Sequence, residues 1–128
     1  MKKIFVVVGI LENTDGQICI SKRQDGQHLA GFWEFPGGKI DEGEKPFNAL
    51  VREFEEELGV TIKTAEPWFD IEHDYGEKMV HLDIWRVTSF EGEAFSKEGQ
   101  LVSWVGRAAL GEYEFPSANE DIVKYLKG

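Results

Sequence analysis

The 128-residue chain has one cysteine, Cys19, so no disulfide can form within it. No group of Cys and His stands at zinc-ligand spacing. A reducing compartment, the cytoplasm, is the expected home. No apolar run approaches the roughly 18 residues that a membrane-spanning helix needs. The one segment resembling a targeting signal is Lys2-Lys3 followed by residues 4–10. That run is short and ends in Leu11-Glu12-Asn13 without a small-residue cleavage site, so it reads as a buried strand. Basic residues are scarce: 14 Lys and Arg stand against 24 Asp and Glu, a net charge of −10. A basic surface for duplex nucleic acid or an anionic membrane is therefore not expected. Repeats, low-complexity segments and linkers are also missing.

What is present suits one domain over residues 1–128, expected to be a monomer. Hydrophobic residues make up 41% of the chain and aromatic ones 12%, enough to build a core. Residues 4–11 and 17–22 read as strands. The Asn13-Thr14-Asp15-Gly16 turn between them predicts a hairpin. A short aromatic strand at 32–35 stops at Pro36-Gly37-Gly38. A helix then starts near Pro46, with Phe47, Leu50, Val51, Phe54 and Leu58 forming one apolar stripe and Gly59 ending it. Strands are expected at 60–71, 79–90 and 101–105. A final helix carries Ile122, Val123 and Leu126, with Ser117 as a candidate cap. Strands before, between and after two helices predict an α/β sandwich with a mixed β-sheet.

The negative charge is concentrated. Residues 41–58 hold seven acids and two bases, half the net charge of the chain. Glu53, Glu56 and Glu57 fall at i, i+3 and i+4 and so share one helix face, where like charges repel. Glu56 and Glu57 also lie near the helix C-terminus, where the macrodipole disfavours anions. A solvated acidic face is one reading. The other is a multi-metal carboxylate site for phosphate chemistry, since hard divalent cations take oxygen ligands and Mg²⁺ also binds substrate phosphates. The preceding Gly37-Gly38 pair leaves the backbone open to close approach.

Gly38, Glu44, Arg52, Glu53, Glu56, Glu57 and Gly59 occupy all seven fixed positions of the pattern G-x5-E-x7-R-E-U-x-E-E-x-G-U. The segment thus resembles the Nudix box, with Phe54 in place of the usual aliphatic residue. The resemblance implies the Nudix α/β/α sandwich and hydrolysis of a nucleoside diphosphate linked to another group. It implies that Glu53, Glu56 and Glu57 hold Mg²⁺ (Mn²⁺ is an alternative), with a carbonyl of Gly37-Gly38 as a further ligand. Arg52 would orient a glutamate, and Glu44 would support the loop and helix. Glu98 would complete the metal site or tune the attacking water. Glu53 and Glu98 are both candidates for the general base.

Outside the box the chain is similar to the MutT-type 8-oxo-dGTP pyrophosphohydrolases. The similarity rests on Arg23, His28, the run Glu34-Phe35-Pro36-Gly37-Gly38-Lys39-Ile40, Lys97-Glu98-Gly99-Gln100 and Phe115-Pro116-Ser117-Ala118-Asn119-Glu120. The activity it implies is hydrolysis of 8-oxo-dGTP to 8-oxo-dGMP and pyrophosphate, which clears the nucleotide pool of a mutagen and prevents A:G mismatches. Asn119 carries a physical argument. Oxidation at C8 turns purine N7 from acceptor to N–H donor beside the O6 acceptor, and an amide can accept from one while donating to the other. Normal guanine offers two acceptors there. Asn119 could instead cap the final helix. Arg23, His28, Phe35, Tyr75 and Lys78 are further candidates for substrate contact. Lys78 stands where an arginine is expected and cannot make a bidentate fork. A Nudix hydrolase for another nucleotide, or a non-catalytic Nudix-like binding domain, are the alternatives.

Overall fold

In the computed structural model, which describes residues 2–27 and 29–128, seven strands and two helices follow one another in chain order. They are β1 (Lys2–Ile10), β2 (Gln17–Lys22), β3 (Trp33–Glu34), β4 (Gly37–Lys39), α1 (Pro46–Leu58), β5 (Thr61–Asp74), β6 (Lys78–Glu91), β7 (Val102–Gly106) and α2 (Glu120–Lys127). Short 3-10 turns cover Arg107–Glu112 and Ser117–Asn119. A four-stranded mixed sheet runs β4-β1-β6-β5, and a three-stranded antiparallel sheet runs β3-β2-β7. Among the described residues the one parallel pair is β1 with β6, matching Lys2 to Lys78 through Ile10 to Arg86. The connection between these two strands carries β2, β3, β4, α1 and β5, as a parallel crossover requires.

The expected hairpin of the first two strands closes only next to its turn, where the Asn13 amide donates to the Gln17 carbonyl at 3.0 Å. β1 and β2 belong to different sheets, linked by the Glu12–Ile18 bridge and a bond from Cys19 N–H to Leu11 C=O. Asn13 explains the corner, because its side chain accepts from the amides of Asp15 and Gln17 and turns the chain locally. The glycine pair also differs from expectation. Instead of only ending a strand, Gly37 and Gly38 are themselves strand β4, opposite Val8 and Val7.

Side-chain alternation sorts the core into two layers. Val7, Leu11 and Cys19 point to the side covered by α1, together with Leu50, Phe54 and Leu58. Val8, Ile10, Ile18 and Ile20 point to the opposite side, where Ile122 and Leu126 of α2 pack. Each fully buried apolar side chain of α1 contributes about 1.5–3 kcal/mol. Gly9 lets α1 come this close, since a Cβ there would stand 2.6 Å from the Phe54 ring. Gly59, at φ 68°, ends α1 in the left-handed conformation expected of it. Ser117 is not the cap of α2. Asn119 holds that position, without a capping bond from its side chain.

Candidate active site

Three segments build the site, and each is positioned by a local reason. The acidic face of α1 is aimed at β4 because the opposite face of the helix is buried against β1. Strand β4 passes so closely that a Cβ on Gly38 would stand 2.4 Å from Glu53 Cδ. Its neighbour Gly37 donates its amide to Glu57 Oε2 at 3.1 Å. The loop between β6 and β7 then wraps the C-terminus of α1. The amides of Phe95 and Lys97 donate to the carbonyls of Leu58 and Glu57, and Lys97 Nζ donates to the carbonyl of Glu55. These bonds satisfy carbonyls that a helix end leaves without partners. They also place Glu98 close enough to raise the proton affinity of both Glu53 and Glu57.

Arg52 organises the carboxylates. Its Nε and Nη2 donate to the two oxygens of Glu44, both at 2.9 Å. Its Nη1 donates to Glu53 Oε1 at 2.8 Å and to Glu56 Oε2 at 3.4 Å, and Nη2 also reaches the carbonyl of Lys39 at 3.0 Å. One planar fork therefore ties the loop before α1, strand β4 and the acidic face together. The bonds from Arg52 and the Asp41 amide hold the Glu44 carboxyl down to about 2.

Glu57 is in the opposite situation. It is buried, and Gly37 N–H is its one hydrogen-bond donor among the described residues. Burial first, then the neighbouring Glu34 and Glu53, push its carboxyl up to about 9. Burial also raises Glu53, against the pull of Arg52. Glu56 is half exposed. No three His, Cys, Asp or Glu side chains among the described residues form a preassembled cation cluster. The donor set nonetheless suits a hard divalent cation: carboxylate oxygens, one buried with little compensation, beside a backbone strand lacking Cβ atoms. Burial, and then the charge of Glu57, lift the Cys19 thiol to about 12, so it supplies no thiolate.

A cavity of about 350 Å³ adjoins this face. Its lining brings together Arg23, Phe35, Gly37, Gly38, Glu57, Tyr75, Lys78 and Asn119. Every base-contact candidate named from the sequence is there except His28, which lies outside the described residues. Phe35 has both roles considered for it, since it borders the cavity while being buried and stacked on Phe115 at 5.0 Å. Lys78 Nζ sits 5.9 Å over the Tyr75 ring. The side-chain amide of Asn119 has no hydrogen-bond partner among the described residues.

Two participants carried no role in the sequence reading. Glu34 pairs with Arg23 inside the cavity, and burial raises its carboxyl. Gln100 is buried and holds the Glu98 loop, accepting from the Glu98 amide and donating to the Glu57 carbonyl. Glu34 ends β3 and stands three positions before Gly37 of β4, and that closeness was the available signal. For Gln100 no local signal tied the Glu98 loop to α1, because the Glu57 carbonyl it reaches lies 43 residues back.

Comparison with known proteins fits this geometry. A model described as "NUDIX domain" matches residues 7–125. The chain is 39% identical over 127 residues to a protein of Escherichia coli (strain K12) named 8-oxo-dGTP diphosphatase, covering 99% of this chain and 98% of that protein. It is 36% identical over 122 residues to another protein of that organism, named CTP pyrophosphohydrolase, covering 95% and 88%. A solved structure described as MutT, from a study of Aliivibrio salmonicida and Vibrio cholerae, superposes with a TM-score of 0.85. It shares 41% identity and covers 98% of this chain and 97% of that one.

Proposed function

The chain belongs to the NUDIX domain family, and from that premise we propose that it hydrolyses 8-oxo-dGTP to 8-oxo-dGMP and pyrophosphate. The observation that carries this reading is continuity. One cavity is lined both by Asn119, whose side-chain amide has no partner among the described residues, and by Gly37, Gly38 and Glu57 of the carboxylate face. A free nucleotide fits such a cavity with its base towards Asn119 and its phosphates towards α1. The protein acts on a small nucleotide, and hydrolysis depends on a divalent metal. Mg²⁺ is the ion we assign, with Mn²⁺ as substitute. The reading takes residues 1–128 as one Nudix domain, a monomer in the cytoplasm. No helix among the described residues is long and apolar enough to cross a membrane.

Glu53, Glu56, Glu57 and Glu98 would hold the metal with a carbonyl of Gly37-Gly38. When bound, the metal supplies Lewis-acid polarisation of the phosphates and acidifies the attacking water. Glu53 accepts the water proton, with Glu98 as the second candidate. The water oxygen bonds to the β-phosphorus, the bond from that phosphorus to the α,β-bridging oxygen breaks, and 8-oxo-dGMP leaves with that oxygen. Arg52 fixes Glu53 against rotation, so the base need not reorganise during the step. Arg23, Tyr75 and Lys78 bind the nucleotide and Phe35 closes the wall. Asn119 accepts from N7–H and donates to O6, and a site built on a specific hydrogen bond rejects the wrong base by up to about 10⁴–10⁵.

The test is a turnover panel of 8-oxo-dGTP, dGTP, dATP, CTP and ADP-ribose with Mg²⁺, run on the parent and on Asn119→Ala. Strong preference for 8-oxo-dGTP, pyrophosphate as product and loss of that preference in the variant are expected. Similar rates on 8-oxo-dGTP and dGTP in the parent would overturn the assignment. A preference for CTP would favour the second reading, a pyrophosphohydrolase of another nucleoside triphosphate, which the 36% identical relative supports.

A further inference from the structure

Two parts of the cavity wall come from distant parts of the chain. One is the turn between β5 and β6, with Tyr75 in it and Lys78 at the start of β6. The other is the 3-10 turn Ser117–Asn119. The first turn is internally fixed: the Tyr75 amide donates to the Lys78 carbonyl at 2.9 Å, and the Gly76 amide donates to Asp74 Oδ1 at 2.7 Å. The second is fixed at its base by the backbone N–H of Asn119, which donates to the Pro116 carbonyl at 2.9 Å. Neither set of bonds sets the distance between the walls.

His73 touches both. It is the penultimate residue of β5, opposite Val80, and half-buried. Its ring meets the Tyr75 ring edge-on, with centroids 4.5 Å apart. Its Nε2 shares a hydrogen bond with Ser117 Oγ at 3.3 Å. This hydrogen bond joins the end of β5 to the 3-10 turn, across 44 positions of sequence. The hydroxyl is therefore spent on His73 rather than on capping α2.

We propose that His73 is a positioning residue for base recognition, using Ser117 to hold the turn that carries Asn119 at a set distance from Tyr75. His73 does not touch the reacting atoms. It sets the width of the slot in which a purine is read, so it acts on selection and not on the chemical step. The inference rests on the reading of Asn119 as the base-recognising residue.

The test measures kcat and KM for 8-oxo-dGTP and dGTP with Mg²⁺ in the parent, Ser117→Ala, Ser117→Thr, His73→Phe and the double variant His73→Phe/Ser117→Ala. Loss of one such hydrogen bond is expected to raise KM for 8-oxo-dGTP by about 2- to 10-fold in S117A and H73F. The kcat should stay within about twofold, since no interaction unique to the transition state is removed. KM for dGTP should move less, so discrimination falls. S117T keeps the hydroxyl and should behave as the parent. The double variant should be no worse than H73F alone, because both changes break the same contact. Equal falls in kcat and kcat/KM, additive losses, or parent-like discrimination in S117A would each overturn the proposal. Ser117 is exposed, so S117A keeps the test decisive if H73F fails to fold. A parent that treats 8-oxo-dGTP and dGTP alike overturns the base-site reading, and this proposal with it. A discriminating parent with an equally discriminating S117A overturns this proposal alone.

Discussion

Replacing Gly38 by alanine should remove catalysis while sparing the fold. The added Cβ would stand 2.4 Å from Glu53 Cδ and 2.5 and 2.6 Å from its oxygens. Ordinary contact begins near 3.4 Å, so the carboxylate must recede by about 1 Å or leave its rotamer. Gly38 is not in the left-handed region, so alanine can adopt its backbone. The displaced group is the end of a flexible side chain, and the melting temperature should stay within about 4 °C of the parent. A shift of about 1 Å in a reacting group costs about 100-fold in rate, and Glu53 would also lose its 2.8 Å bond to Arg52. The assay is pyrophosphate release from 8-oxo-dGTP at saturating Mg²⁺, beside thermal unfolding. Gly37→Ala is the contrast. Its Cβ would meet the Val7 carbonyl oxygen at 2.0 Å, and that atom belongs to strand β1 and cannot move aside. This variant should lose about 2 kcal/mol or more of stability. A G38A protein with kcat within about threefold of the parent would refute the placement of Glu53 in the reaction.

Metal removal should destabilise the fold. Mg²⁺ at about 100 times its dissociation constant adds about 2.7 kcal/mol, so EDTA should lower the melting temperature by several degrees. An unchanged melting temperature would contradict a carboxylate site relieved by a cation. In EDTA, stability should also fall as pH rises from about 5 to 9. Unfolded Glu57 releases its proton near 4.5 whereas the folded carboxyl holds it to about 9, so the unfolded state binds fewer protons in that window. Glu57→Gln should flatten this slope in a series of melts, and an equally steep slope in E57Q would show that Glu57 is not its source. Arg52→Lys should cost about 10- to 100-fold in activity, because an ammonium cannot bond Glu44 through two nitrogens while also holding Glu53 and the Lys39 carbonyl. Parent-like kinetics in R52K would mean that the fork is dispensable.

Elements with local causes were legible in the sequence. Helix α1 runs from Pro46 to Leu58 and stops at Gly59, because apolar spacing, Pro at the first turn and Gly at the end are all encoded within 14 residues. The strands expected at 60–71 and 79–90 are β5 and β6, paired as an antiparallel hairpin, though both are longer than expected. β1 and β2 meet only beside their turn, because a turn signal fixes where the chain bends, not whether the flanking strands pair along their length. β4 was missed because two glycines have low strand propensity, and its pairing with β1 comes from close packing under α1.

The sequence by itself determined the chemistry available: three carboxylates on one helix face, a basic fork within the same turn, a glycine pair before them and an amide ahead of the last helix. Periodicity and spacing are local properties, so they survive without coordinates. Tertiary structure decided which of these groups meet. It set Gly38 against Glu53, brought Glu98 to the end of α1 through carbonyls the helix leaves unpaired, and buried Glu57 beside Glu34. It also took Ser117 from capping to a bond with His73. Those outcomes depend on contacts between residues tens of positions apart, and on burial, which alters a carboxylate's proton affinity in a way no residue type or spacing encodes.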